Sequence, residues 1–318
     1  MDISSELLFI LNLNDLLMIF PECLHKGDRM RIVAPAGKVS KEKVLPGIEL
    51  LQDVGYEVII GKHVFDRHFQ YAGTDQQRTF DFQEAINDPQ TKAIVCARGG
   101  YGSVRIIEKL DFSPLLKNPK WLVGFSDITV FHSVLNKLGL ASIHGAMPAF
   151  FLENKKPTKS FHSLMEVITS GNSVVKFESH SLNCNGGGTG ELVGGNLSLL
   201  YSLQGTPWQL DPKGKILLIE DLSEYLYHLD RMMQNFRLSG QLNELAGLVV
   251  GGFTEMQDNE SPYGKSAYEI IREAVDGCHF PVCFDFPSGH ISKNLSLVLG
   301  ANYKLEVGDN CTLKRIQQ

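Results

Sequence analysis

From residue 31 onward, short apolar runs alternate with amphipathic stretches. Arg31 to Ala34, Tyr56 to Ile60, Lys92 to Ala97, Trp121 to Val123 and Ala141 to His144 have strand length, and Gly, Pro or polar residues punctuate them. Between them, Ile48 and Leu51 predict a helix that stops at Gly55. Thr74 is placed to cap a second helix, running to about Asn87 before Pro89. Ile106, Ile107 and Leu110 predict a third helix, and Ile128, Phe131, Leu135 and Leu138 a fourth. Strand and helix in strict alternation predict a parallel sheet covered on both faces. Ligands on such sheets bind at the carboxyl ends of the strands.

The pattern changes after about Pro148. Lys155 to Ser181 is polar with one predicted helix, Phe161 to Ser170, and Asn183 to Gly190 is rich in Gly and Asn, which reads as a junction or mobile loop. A second unit starts near Gly194. GGNLSLLYSLQGT reads as a turn into a helix, and Lys215 to Ile219 as a strand ending in Glu220 and Asp221. Leu229 to Leu238 and Ser266 to Val275 are predicted helices, with Ala246 to Phe253 a strand between them. PVCFDFPSGHIS is a strand followed by a loop carrying His290, and Leu295 to Leu299 and Tyr303 to Val307 close the chain as strands. The expected organisation is an extension over 1–20, an α/β domain over 21–155, a linker region over 156–190 and a second domain over 191–318.

Leu7 to Phe20 is apolar, but Asp2 and Glu6 stand where a signal peptide needs basic residues, and Asn12, Asn14 and Asp15 interrupt the run. It is too short and polar to span a bilayer. Met18 is a plausible start in its own right, so residues 1–17 are expected to be an extension or the product of an upstream start codon. The 318 residues are 43% hydrophobic and 21% charged, as in an ordinary globular protein, and the net charge of −6 offers no basic surface for nucleic acid. Six cysteines without CxxC spacing fit a reducing compartment and no metal site.

Three residues carry candidate chemistry. Ser126 follows the strand Trp121 to Val123 at a corner into a helix, where a hydroxyl is either a helix cap or a nucleophile beside unpaired N–H groups. Glu220 ends a strand, as a surface charge or as a carboxylate held on rigid backbone. His290 lies in a Gly-flanked loop, as a surface residue or as an imidazole titrating in a cleft. Together they could supply nucleophile, orienting acid and base. Their order is that of the α/β-hydrolases, but GFSDI lacks the second Gly of G-x-S-x-G. ARGGYGSVR follows a strand as a dinucleotide loop would, yet Arg105 occupies the third Gly position and no acid ends the next strand. The alternative is that the N–H groups of Gly100 and Asp127 form an oxyanion hole.

The motifs YAGTDQQRTFDF, AIVCARGGYGSVR, GFSDIT, HGAM, GGNLSLL, ILLIED, DRMMQNFRLSG and FPSGH, in this order, resemble those of the LD-carboxypeptidases, the family of the murein tetrapeptide carboxypeptidase and the microcin C self-immunity peptidase. The resemblance covers about residues 21 to 310. It implies a flavodoxin- or Rossmann-like parallel-sheet domain, a smaller C-terminal α/β domain with a β-rich core, and an active site between them. It further implies Ser126 as nucleophile, Glu220 as orienting acid, His290 as base, and oxyanion donors at Gly100 and Asp127. No metal or cofactor is implied; the expected protein is a cytoplasmic homodimer acting on murein tetrapeptide. Arg98 and Arg231 are candidates for holding the free C-terminal carboxylate that an exopeptidase must recognise, since guanidinium pairs with it bidentately. The family's rival activity, cleavage of an amide between an acidic residue and a nucleotide-like group, would be favoured by a stacking Trp in a long loop of the second domain.

Overall fold

The computed structural model describes residues 17–316, so the expectation for the N-terminal extension falls almost wholly outside the described residues. In the first half, strands β1 (Arg29–Val33), β2 (Glu57–Ile60), β3 (Thr91–Cys96), β4 (Trp121–Gly124) and β5 (Ser142–His144) alternate with helices α1 (Lys41–Asp53), α2 (Asp75–Asn87), α3 (Pro114–Lys117) and α4 (Thr129–Lys137). Thr74 caps α2 as expected, in a reciprocal capping box with Gln77. The five strands pair in parallel in the order β2-β1-β3-β4-β5, the flavodoxin-like winding. Residues 103–110, expected as one helix, instead form two 3₁₀ turns. The Asp127 carboxylate accepts from the Ser103 N–H at 2.7 Å, and Gly102 sits at φ 142°, which binds this segment to the next loop rather than to a helical axis.

Beyond a hairpin of β6 (Leu152–Glu153) and β7 (Lys156–Pro157), the stretch expected as a linker carries α5 (Lys159–Ser170) and β8 (Val174–Phe177). The Gly-rich segment is likewise a strand, β9 (Gly186–Asn196), followed by α6 (Leu197–Ser202), β10 (Ile216–Leu222), α7 (Leu226–Leu238), β11 (Gly247–Thr254), α8 (Ala267–Ala274) and β12 (Val282–Cys283). The chain closes with β13 (Leu297–Leu299), β14 (Asn302–Val307) and β15 (Cys311–Arg315). The second sheet has the order β12-β11-β10-β9-β14-β15-β8. Strands β9 to β12 are parallel, and β14, β15 and β8 pair antiparallel. The glycines of β9 serve packing: a Cβ on Gly188 would collide with the Ala246 carbonyl, and one on Gly194 with the Leu218 carbonyl.

The two units are interlocked. Strand β13 adds antiparallel to β5 at the edge of the first sheet. One apolar cluster includes Trp121 and Val123 of β4, Phe161 and Leu164 of α5, and Leu192 and Leu218 of the second sheet. The described chain start also belongs to this body: Ile19 bridges Leu140, and the Trp121 indole N–H donates to the Glu22 carbonyl at 2.9 Å. Among the described residues, no helix is long and apolar enough to cross a membrane. Gly188→Ala is expected to lower unfolding stability by about 3 kcal/mol, because backbone rather than a movable side chain blocks the new methyl. Urea denaturation measures it; an unchanged midpoint contradicts the packing role.

Candidate active site

Ser126 stands where the sequence placed it, at the corner between β4 and a 3₁₀ turn, Ser126–Ile128, that leads into α4. Its φ is 65°, in the left-handed region that non-glycine residues seldom occupy. The corner is braced from below. The Gly124 carbonyl accepts from the Gly145 N–H at 3.1 Å and from His132 Nε2 at 3.0 Å, and His132 Nδ1 meets the Ser142 hydroxyl at 2.8 Å. Burial pushes His132 down to about 4, so the ring is neutral and holds one proton on Nε2.

The loop after β3 closes directly on this corner. A Cβ on Gly99 would lie 2.7 Å from Ser126 Cβ, 2.8 Å from its Oγ and 3.3 Å from the Asp127 nitrogen. Gly100 sits at φ 105° against Gly37, and among the described residues its N–H makes no hydrogen bond. Two buried charges hold the loop. Asp127, whose carboxyl is raised by burial, accepts from Ser103, while Arg78 donates to the carbonyls of Pro35 and Gly102 and pairs with Asp75 at 2.5 Å.

The other half of the site comes from the second unit. Glu220, fully buried in β10, holds His290 Nδ1 through Oε2 at 2.6 Å. The close approach requires Gly289: at φ 103°, a Cβ there would lie 2.7 Å from both Cβ and Oε2 of Glu220. Asn294 closes the loop. Its Oδ1 accepts from the Gly289 N–H at 3.0 Å and its own N–H donates to Ser160 Oγ at 2.9 Å. Phe125, the neighbour of Ser126, places its ring 4.9 Å from that of His290. Burial works to lower the His290 pKa, but the hydrogen bond and charge of Glu220, with Asp221 and Glu255 nearby, outweigh it and raise the pKa above the ordinary 6.5.

Ser126, Gly100 and His290 line one cavity of about 550 Å³ that both units enclose. Ser126 Oγ and His290 share this cavity without a hydrogen bond between them. Arg98 lies on its rim, donating through Nη1 to the Lys38 carbonyl at 3.0 Å. Arg231 does not line it; this side chain is exposed on α7, its guanidinium 5.3 Å from the ring of Tyr227. Trp121 is buried in the core and Trp208 packs beside α4, so neither indole lines the cavity. Sequence reasoning placed Gly99 and Gly100 at the same end of the sheet as Ser126 but missed Arg78 and Asn294. Arg78 stood inside a motif, YAGTDQQRTFDF, but nothing in its spacing marked it as the brace of a loop more than twenty residues away.

Two α/β units that bring a serine, a histidine paired with a buried carboxylate, and a glycine loop to one cleft define the architecture of a hydrolytic site. The family models for the LD-carboxypeptidase N-terminal domain and C-terminal domain match residues 30–145 and 189–305. The chain belongs to the LD-carboxypeptidase family, the S66 peptidases. It is 32% identical over 293 residues to a probable murein peptide carboxypeptidase of Bacillus subtilis, covering 91% of this chain and 92% of that one. A murein tetrapeptide carboxypeptidase of Pseudomonas aeruginosa is 30% identical, with 87% and 93% covered. The crystal structure of muramoyltetrapeptide carboxypeptidase from Oxalobacter formigenes superposes with a TM-score of 0.82 at 31% identity, covering 91% of this chain and 99% of that one.

An NMR titration checks the electrostatics. The His290 ring is expected to protonate above pH 6.5 in the wild type. In Glu220→Gln it should protonate at a lower pH than in the wild type, because the largest of the charges opposing burial is gone. A Glu220→Gln ring titrating at or above the wild-type pH contradicts the assignment.

Proposed function

We propose that the protein is a serine-type LD-carboxypeptidase that removes the terminal D-alanine from murein tetrapeptides during peptidoglycan recycling, acting in the cytoplasm as a homodimer without metal or cofactor. The observation that carries this reading is the 2.6 Å bond from Glu220 to His290 at the edge of the cavity that holds Ser126. With Nδ1 committed to Glu220, the Nε2 of His290 is the nitrogen left to exchange protons with Ser126. His290 takes the hydroxyl proton as Oγ attacks the peptide carbonyl next to D-alanine. The N–H groups of Gly100 and Asp127 receive the oxyanion, at about 3 kcal/mol per donor. His290 then protonates the departing amine, and water resolves the acyl-enzyme by the same route in reverse.

The missing Ser126–His290 bond fits this cycle, since catalytic hydrogen bonds are commonly long before substrate binds. Because the base must be neutral, the raised His290 pKa places the acidic limb of kcat/KM above pH 6.5. Arg98 is the member of the expected pair that reaches the cavity, and it serves as the cation facing a substrate carboxylate.

Incubation of murein tetrapeptide with wild type and Ser126→Ala, followed by mass spectrometry, tests the reading. Loss of one alanine is expected with the wild type, and a rate lower by roughly 10³-fold or more with the variant. Persistent cleavage by Ser126→Ala overturns the nucleophile. Gly99→Ala is expected to cost on the order of 10²-fold in kcat, since its methyl meets Ser126 Cβ and Oγ and displaces the hydroxyl. Unimpaired turnover by this variant would show that the loop does not set the Ser126 position.

A further inference from the structure

A second cavity, of about 500 Å³, adjoins the catalytic one and shares Arg98 and Phe150 with it. It runs from that shared wall to Ser40, Glu42 and Lys43 on α1, and to Lys155 at the tip of the β6–β7 hairpin. The wall is built, not incidental. A Cβ on Gly47 of α1 would collide with the carbonyl of Pro148, so the helix seats directly on the turn that carries Phe150. Asn154 and Lys155 both hold positive φ, 49° and 62°, the geometry of a two-residue hairpin turn, which sets Lys155 at the hairpin tip.

The charge of this cavity is one-sided. Arg98, Lys43 and Lys155 line it against the single carboxylate of Glu42. Among the described residues, none of the three cations lies within ion-pair distance of a carboxylate. Glu42 is engaged by its own N–H and by the Ser40 hydroxyl. Unpaired cations around a concavity focus an anion there.

Which part of a substrate reaches it follows from the reaction. An enzyme that releases one terminal D-alanine needs room for only that residue on the leaving side. Whatever extends past the catalytic cavity is therefore the acyl portion. We infer that the second cavity is an acyl-side subsite that binds the carboxylate-bearing upstream part of the peptide, with Lys43 and Lys155 as its charge partners. This inference rests on the carboxypeptidase reading and names what that reading leaves open: substrate length and charge. The subsite also touches the catalytic machinery, since the Phe150 ring meets Phe125 edge-on at 5.7 Å and Phe125 in turn packs on His290.

The experiment compares three substrates on the full chain: murein tetrapeptide, the same peptide with its upstream carboxylates amidated, and the Nα-acetylated dipeptide of its last two residues. Wild type is expected to show a kcat/KM at least tenfold higher on the tetrapeptide than on either of the others, expressed mainly in KM. In the Lys43→Ala/Lys155→Ala double variant that ratio should collapse to within about threefold. Equal use of all three substrates by wild type, or a ratio unchanged in the double variant, overturns the subsite. Failure of wild type to cleave any of them instead overturns the carboxypeptidase reading. In that case calorimetric binding of the tripeptide to wild type and double variant still decides the subsite, with equal affinities counting against it.

Discussion

The site depends on a single backbone constraint, the left-handed φ of 65° at Ser126. For a residue with a side chain this conformation costs about 1–3 kcal/mol, and it persists only where the surroundings over-determine it. Here the determinants come from three directions. His132 and Gly145 hold the carbonyl two residues earlier, Gly99 presses against the side chain, and Asp127 ties the next residue to the Ser103 loop. In this conformation Ser126 lines the cleft. A relaxed cap at this position would have turned the hydroxyl toward the helix.

The second unit is tied to this corner by more than apolar contact. Thr129, at the start of α4, accepts through Oγ1 from the Asn196 N–H at 2.9 Å, and a Cβ on Gly195 would lie 2.5 Å from that same oxygen. Asn196 in turn donates to Asp221 at 2.9 Å, next in the chain to Glu220. Burial and the neighbouring Glu220 raise Asp221 to about 6. A buried network of this kind is stable only when its members are matched, so it fixes the relative position of the two halves. The helix that follows Ser126 and the strand carrying Glu220 are thus registered against each other before any substrate arrives.

Much of this was legible in the sequence, and the parts that were not share one cause. The β4–α4 corner, the Thr74 cap and the strand ending near Glu220 follow from local periodicity and capping chemistry, which act within a few residues. His290 was legible through its Gly-flanked loop. By contrast, Asn183 to Gly190 reads locally as a junction and Gly194 to Asn196 as a turn, whereas Gly186 to Asn196 is one strand. It is a strand because its glycines let the carbonyls of Ala246 and Leu218 come close, and those partners lie far along the chain. The helix expected over Phe161 to Ser170 is present as α5, but the linker assignment failed to anticipate β8 and the packing of both elements for the same reason: Phe161, Leu164 and Val175 take their value from a core that only the assembled fold contains. Arg78, fully buried with carbonyl partners from two separate loops, had no signature that spacing could reveal.

Substrate class is a matter of the cavity wall rather than of the fold. Recognition of a nucleotide-like group would call for a ring presented for stacking and for donors to a base. Neither tryptophan reaches the cleft, and the aromatic rings that do are Phe125 and Phe150. Phe125 is already occupied on one side by His290, so its contact free energy goes into holding that ring in place. Phe150 stands at the join of the two cavities, about half exposed, where it separates a space bounded by Ser126 and His290 from one bounded by lysines. A wall of that composition offers cations and rings already packed against one another, with neither indole presented for stacking on a base.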